Sequence, residues 1–184
     1  MMMEDKTLLL MNQYLDRDYC VFPMAEDKIV LQDIRNIENS LAMKFPEEYV
    51  AHLLAEDCDV ILHRGIYIEA KEEIWRRPQA MDVGPFWTFL YGFHTYTASK
   101  LSADWMRLDF VAHQFMQETG LKAIPILKII NDADMYCVNE SRDIVKFNHE
   151  MNILEPTNMD FWQVWEFELK ALKERKETKK AELK

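Results

Sequence analysis

The stretch INDADMYCVNESRDIVKFNHE, residues 130–150, places five carboxylates, a cysteine and a histidine in 21 positions. Its reading decides between a metal site and the edge of a folded sheet. Calcium comes first, because Asp132 and Asp134 begin like a D-x-[DN] loop. An EF-hand needs an oxygen ligand at its fifth position, glycine at the sixth and glutamate at the twelfth. Counted from Asp132, those places hold Tyr136, Cys137 and Asp143, so calcium is disfavoured. Zinc needs three or four converging ligands, and Cys137, His149 and Glu150 are the available set. Alternation opposes it: in DMYCV, Cys137 shares a side with Met135, the side that a half-buried strand turns to the core. His149 and Glu150 do not open an H-E-x-x-H pair either, because the fourth residue after His149 is Ile153. The stretch therefore reads as two short strands, DMYCV and IVKFN, joined as a hairpin by the loop NESRD.

Working outward, KAIPILKIIN supplies a third strand before the hairpin. Upstream of it, Ser102 is the expected N-cap of a helix through ADWMRLDFVAHQFMQETG. That helix sets Leu108, Val111, Ala112 and Phe115 on one face and stops at Gly120. Downstream, Thr157 with Asp160 resembles a capping box opening a last helix, whose buried stripe is Phe161, Trp165, Leu169 and Leu172. Beyond Lys173 the charged run KERKETKKAELK predicts an exposed helical extension or tail. Nearer the start, Ile34, Ile37 and Leu41 recur at helical spacing. FPEEYVAHLL restarts a second helix with Pro46 near its first turn and Glu47 and Glu48 where the helix dipole favours negative charge. Tyr49, Leu53 and Leu54 are expected to pack back on the first helix. DVILHRGIYIEA reads as one bent strand or two short ones, and KEEIWRRP as a helical turn. The aromatic segment from Phe86 to Tyr96 reads as strand and loop packed on the sheet. The whole predicts one α+β domain over residues 1–173, a largely antiparallel sheet flanked by helices with its core at about 29–172, and a charged extension over 174–184.

Composition bounds the function. The 184 residues are 49% hydrophobic, enough for a real core, and no run approaches the roughly eighteen apolar residues that cross a bilayer. The start MMMEDK lacks the pattern of a secretory signal, so a cytoplasmic protein without membrane association is expected. Cys20, Cys58 and Cys137 form no C-x-x-C pair and suggest reduced, mostly buried thiols. Net charge is −10, and the first 165 residues carry 27 acidic against 15 basic side chains. Such a body repels nucleic-acid phosphates and favours a basic protein partner.

Enzymatic chemistry finds little support. There is no G-x-S-x-G elbow, Ser99 and Ser102 lack its strand-turn-helix context, and the four glycines spell no nucleotide-binding loop. His52, His63, His94, His113 and His149 sit apart on different elements; a metal-dependent enzyme would need several of them to converge with carboxylates.

Chain order adds a resemblance. A first helix with Glu38, the corner LAMKFPEEYVAHLL, a central GPFW, then IPILKIINDADMYCVNESRDIVKFNHE and a Trp-rich last helix together resemble the SUKH superfamily, the Smi/Knr group. Glu38, Pro46, Tyr49, Leu53, Pro125, Asp134, Cys137, Val145, His149 and Glu150 occupy positions of that pattern, from about Ile29 to Leu172. Phe45 departs from the usual leucine, AEDCDVIL from the usual asparagine-glycine turn, and Asn131 and Arg142 stand where glycine is common. The resemblance implies the SUKH fold and a non-enzymatic binding protein without cofactor or metal. Bacterial members are regarded as immunity proteins against toxins, many of them nucleases, and fungal relatives regulate cell-wall glucan synthesis. A basic toxin domain is the expected partner, met by Asp132, Asp134, Glu140, Asp143 and Glu150. The alternatives are a regulatory scaffold or, behind it, a metal-dependent enzyme.

Overall fold

A computed structural model of the chain describes residues 5–54, 65–75, 90–182 and 184. Its frame is a seven-stranded antiparallel sheet in simple sequence order: β1 (Tyr19–Pro23), β2 (Ile66–Ala70), β3 (Gly92–Thr95), β4 (Ala123–Ile129), β5 (Met135–Asn139), β6 (Ile144–Asn148) and β7 (Ile153–Pro156). Six helices accompany it among the described residues: α1 (Lys6–Tyr14), α2 (Leu31–Leu41), α3 (Glu47–Leu54), the single turn α4 (Glu72–Trp75), α5 (Leu108–Thr119) and α6 (Phe161–Glu182). The α+β class and the antiparallel sheet expected from the sequence are both present. So are the three late strands around NESRD.

Burial follows strand position. Central β4, AIPILKI, is buried at every residue but Lys128, whereas the edge strands β1 and β7 are half exposed and each ends in proline. Proline cannot donate to a ladder, which suits an edge. Pro125, inside β4, is tolerated because the register shifts between Pro125 and Leu127, a bulge that spares its missing N–H. Gly92 pairs with β2 at a position that leaves no room for a side chain: a Cβ there would fall 2.3 Å from the Ile68 carbonyl oxygen.

Both faces of the sheet are covered. On one, α6 lays Phe161, Trp165, Leu169 and Leu172 into the main core, with Trp165 edge-on to Phe93 at 5.4 Å and Phe161 edge-on to Tyr49 of α3 at 5.1 Å. On the other, α5 brings Phe115 edge-on to Phe147 at 4.9 Å, closing a smaller core over Ala123, Cys137 and Val145. Cys137 thus faces the interior, as strand alternation requires.

Two helix starts differ from expectation. Helix α5 begins at Leu108, because Thr97 bridges Arg107 and holds it extended; Ser102 instead donates its hydroxyl to the Met24 carbonyl at 2.6 Å. The capping box of α6 is Asp160 with Gln163, each side chain accepting the other's N–H at 2.9 Å, while Thr157 donates to the Ile144 carbonyl at 2.7 Å. Sequence reading placed the box one turn early, since Thr157 and Asp160 share its spacing.

The corner between α2 and α3 is held by Glu38, which is buried. Its Oε1 accepts the Phe45 N–H at 3.0 Å, and its Oε2 meets Arg35 at 2.7 Å and Lys44 at 3.2 Å. Its backbone carbonyl also accepts from Met43 N at 3.1 Å, past Ala42 in the left-handed region. Burial opposes the charge, yet these donors outweigh it and hold the carboxyl below its usual range.

The charged end of the chain is docked. Helix α6 continues to Glu182, and Lys176 is buried, its ammonium 2.8 Å from Asp16, 3.3 Å from Asp18 and 2.8 Å from Glu177. Burial disfavours that ammonium, but the hydrogen bonds to Asp16 and Glu177 raise its pKa above the ordinary lysine value. Lys180 adds a second bond to Asp18 at 2.8 Å, and Arg175 donates to the Leu90 carbonyl at 2.7 Å. The predicted extension is helical, but one face of it closes on Asp16, Asp18, Tyr19 and Leu90. Helix α1, capped by Asp5, and strand β1 have no counterpart in the sequence reading.

Two stability measurements follow. Glu38→Ala, which orphans the Phe45 N–H and two cations, should lower the unfolding free energy by about 2–3 kcal/mol in urea titration, with Glu38→Gln costing less. Deleting residues 174–184 should cost about 2 kcal/mol, a fall in Tm of roughly 4–8 °C by calorimetry; an unchanged Tm would mean the tail contributes nothing.

Candidate protein-binding surface

The five candidate carboxylates all lie at the ends of the β5–β6 hairpin. At the turn end, Asn139 organises the loop: its Oδ1 accepts N–H bonds from Ser141 at 3.0 Å and Asp143 at 2.9 Å, and its carbonyl accepts from Arg142 at 3.1 Å. Arg142 then takes φ 66°, the left-handed position of a three-residue hairpin loop, where a non-glycine residue costs on the order of 1 kcal/mol. Glu140 pairs with Lys122 at 2.8 Å, both well exposed, so that pair contributes at most about 1 kcal/mol. Asp143 is exposed.

At the other end, two turns meet. Asn131 takes φ 69°, Asp132 Oδ1 accepts the Asp134 N–H at 3.0 Å, and Asp134 Oδ1 in turn accepts the His149 N–H at 3.0 Å. This ties the β4–β5 turn to the β6–β7 turn, where Glu150 is exposed. Lys128, its charge disfavoured by burial, donates to the Asp132 carbonyl at 2.8 Å.

The structure therefore sorts the carboxylates into two groups. Asp132, Asp134 and Glu150 share one end, and Glu140 and Asp143 the other, separated by a five-residue strand of about 17 Å. One compact epitope does not hold all five. At the turn end, however, Asp143 gains neighbours that sequence order hid. A cleft of about 470 Å³ brings it together with Glu48 of α3, Asp160 of the α6 cap and Arg142, over an apolar floor that includes Met159 and Phe161. In the sequence Glu48 and Asp160 mark helix starts, and nothing in the linear pattern joins them to Asp143.

The alternative metal set does not gather. Cys137 lies in the smaller core, where burial pushes its thiol well above the usual range, while His149 and Glu150 stand on an exposed turn. Among the described residues there is no group of three or more His, Cys, Asp or Glu side chains placed to hold a metal ion. The histidines are dispersed too. His52 bridges Thr7 at 3.1 Å and Thr95 at 3.0 Å inside the main core, and His113 is exposed on α5. His63 lies outside the described residues, as do positions 86–89 of the aromatic segment; within its remainder Phe93, His94 and Tyr96 are buried.

Two buried titrating groups have perturbed chemistry without an open site. His94 stacks on Tyr67 at 5.8 Å, stands edge-on to Tyr96 and Trp105, and is pushed down to about 4 by burial. Glu168 accepts a 2.7 Å bond from the Tyr136 hydroxyl, and burial raises its pKa. Both side chains are buried.

Comparison with protein-family models, with curated proteins and with solved structures finds no match to this chain.

His94 sets an acid response. Its neutral form is favoured in the fold, so the unfolded chain takes up its proton first; stability present above pH 6.5 is lost as pH falls towards 4. Glu168, with a raised folded pKa, acts in the opposite sense over part of that range. Comparing Tm of the parent and His94→Phe from pH 7 to 4 should therefore show a shallower decline in the variant.

Proposed function

We propose that this chain is a protein-binding module of the SUKH type, acting in the cytoplasm as an immunity protein that occludes a basic toxin domain, stoichiometrically and without catalysis. The observation that carries the reading is the backbone of the late strands. Asn131 and Arg142, the two residues standing where the family pattern commonly has glycine, both take the left-handed conformation that glycine favours, at φ 69° and 66°. Agreement in conformation at positions that disagree in residue type is what a shared loop geometry produces. Glu38 supports the same reading, since a glutamate in the first helix belongs to the pattern and here pins the corner before FPEEY.

Recognition then falls to the acidic surface. Complementary charge steers encounter, and a few well-packed anchors hold the complex. The cleft joining Asp143, Glu48 and Asp160 over Met159 and Phe161 offers both properties, carboxylates for a lysine or arginine side chain and an apolar floor beneath. At the other end, Glu150 stands beside the exposed side chains of Met151 and Ile153.

The test is affinity capture from the source cell with mass spectrometry, coupled to co-expression with any toxin-domain protein recovered. Protection of the cell, a one-to-one complex, and an association rate falling steeply with salt are the expected results. Asp143→Lys should slow association at least tenfold, and Glu150→Lys much less. Capture of no toxin domain together with failure to protect would end the immunity reading.

A further inference from the structure

Arg142 divides two grooves, and the second has the opposite charge. Sharing Arg142 with the acidic cleft, a cavity of about 500 Å³ has Phe45, Val50 and Leu54 in its apolar lining, and its cations are Arg35, Lys44 and Arg142. Leu31, 41% exposed at the start of α2, extends the apolar surface outward.

The charge of this groove follows from the corner beneath it. Arg35 and Lys44 share one buried carboxylate, Glu38, while their own side chains remain 43% and 45% exposed. Each keeps donors for another partner, because a guanidinium carries five N–H groups and an ammonium three. Arg142 forms no ion pair among the described residues and is exposed. Three cations against Glu38 and Glu47 leave surplus positive charge, in a chain whose net charge is −10. The Arg142 backbone is also unfavourable for any residue but glycine, so this side chain is held at the rim against its own conformational preference.

We propose that this groove binds an acidic segment of a partner protein, with an Asp or Glu carboxylate held between Arg35 and Arg142 and a neighbouring aliphatic side chain laid on Phe45, Val50 and Leu54. A guanidinium fork matches a carboxylate in two parallel bonds, and an apolar floor of this size takes one aliphatic residue beside it. The rim cations clamp such a segment from the side, which suits an extended chain. The site does not rest on the toxin reading: its charge is opposite to the surface assigned to a basic partner, and it stands or falls separately.

The experiment uses the full chain and a fluorescein-labelled hexapeptide alternating leucine and glutamate, followed by anisotropy and by amide shifts at Val50 and Arg142. Two controls replace the glutamates by lysine or the leucines by aspartate. Saturable binding of the leucine-glutamate peptide, at least tenfold tighter than either control, is expected. R142G relaxes the backbone and removes the cation, so it should melt no lower than the parent yet bind at least tenfold more weakly. L31S, at an exposed position, should also weaken binding, by a few-fold. No saturable binding, equal binding of either control, or undiminished binding by R142G would overturn the proposal.

Discussion

Trp165 standing edge-on to Phe93 is the contact on which the architecture turns. Strands β3 and β4 are buried on both faces, so the sheet is stable only if each face is covered, and α6 supplies the larger cover. Its first turns seat Phe161 against Tyr49 of α3 and Trp165 against His52, so one helix fixes the sheet and the α2–α3 corner together. On the opposite face α5 seats Phe115 on Phe147 of β6, over a smaller cluster.

Covering both faces traps polar groups, and each is resolved differently. His52 is bonded at both ring nitrogens by threonines. Glu168 has the Tyr136 hydroxyl at one oxygen, and its carboxyl answers burial with a raised pKa. Glu38 and Lys176 stay charged although buried, because each meets several opposite partners or donors. These two ions join segments remote in sequence or direction: Glu38 turns α2 into α3, and Lys176 fastens α6 to the segment between α1 and β1. Specific placement, more than net stability, is what such pairs contribute, since desolvation offsets much of their attraction.

Charge at the surface is arranged around one residue. Arg142, held in a left-handed turn, faces the acidic cleft of Asp143, Glu48 and Asp160 on one flank and the cationic groove of Arg35 and Lys44 on the other. A partner engaging both flanks would be read in register and orientation, because like charges would meet if it were reversed.

Much of this was legible from periodicity. DMYCV and IVKFN alternate, IPILKI is continuously apolar, and the stripe Phe161, Trp165, Leu169, Leu172 has helical spacing; each pattern needs only local geometry and a core to face. Sequence alone therefore determined the α+β class, the late hairpin, the inward face of Cys137 and the Gly120 helix stop. Tertiary structure decided what depends on distant partners. Thr97 set where α5 begins, Asp16 and Asp18 decided that the charged tail is docked, and the length of β5 separated the five carboxylates while bringing Asp143 to Glu48 and Asp160. The physical reason is that burial and backbone direction have a short period written in the chain, whereas ion pairs, clefts and caps depend on residues brought close only by folding.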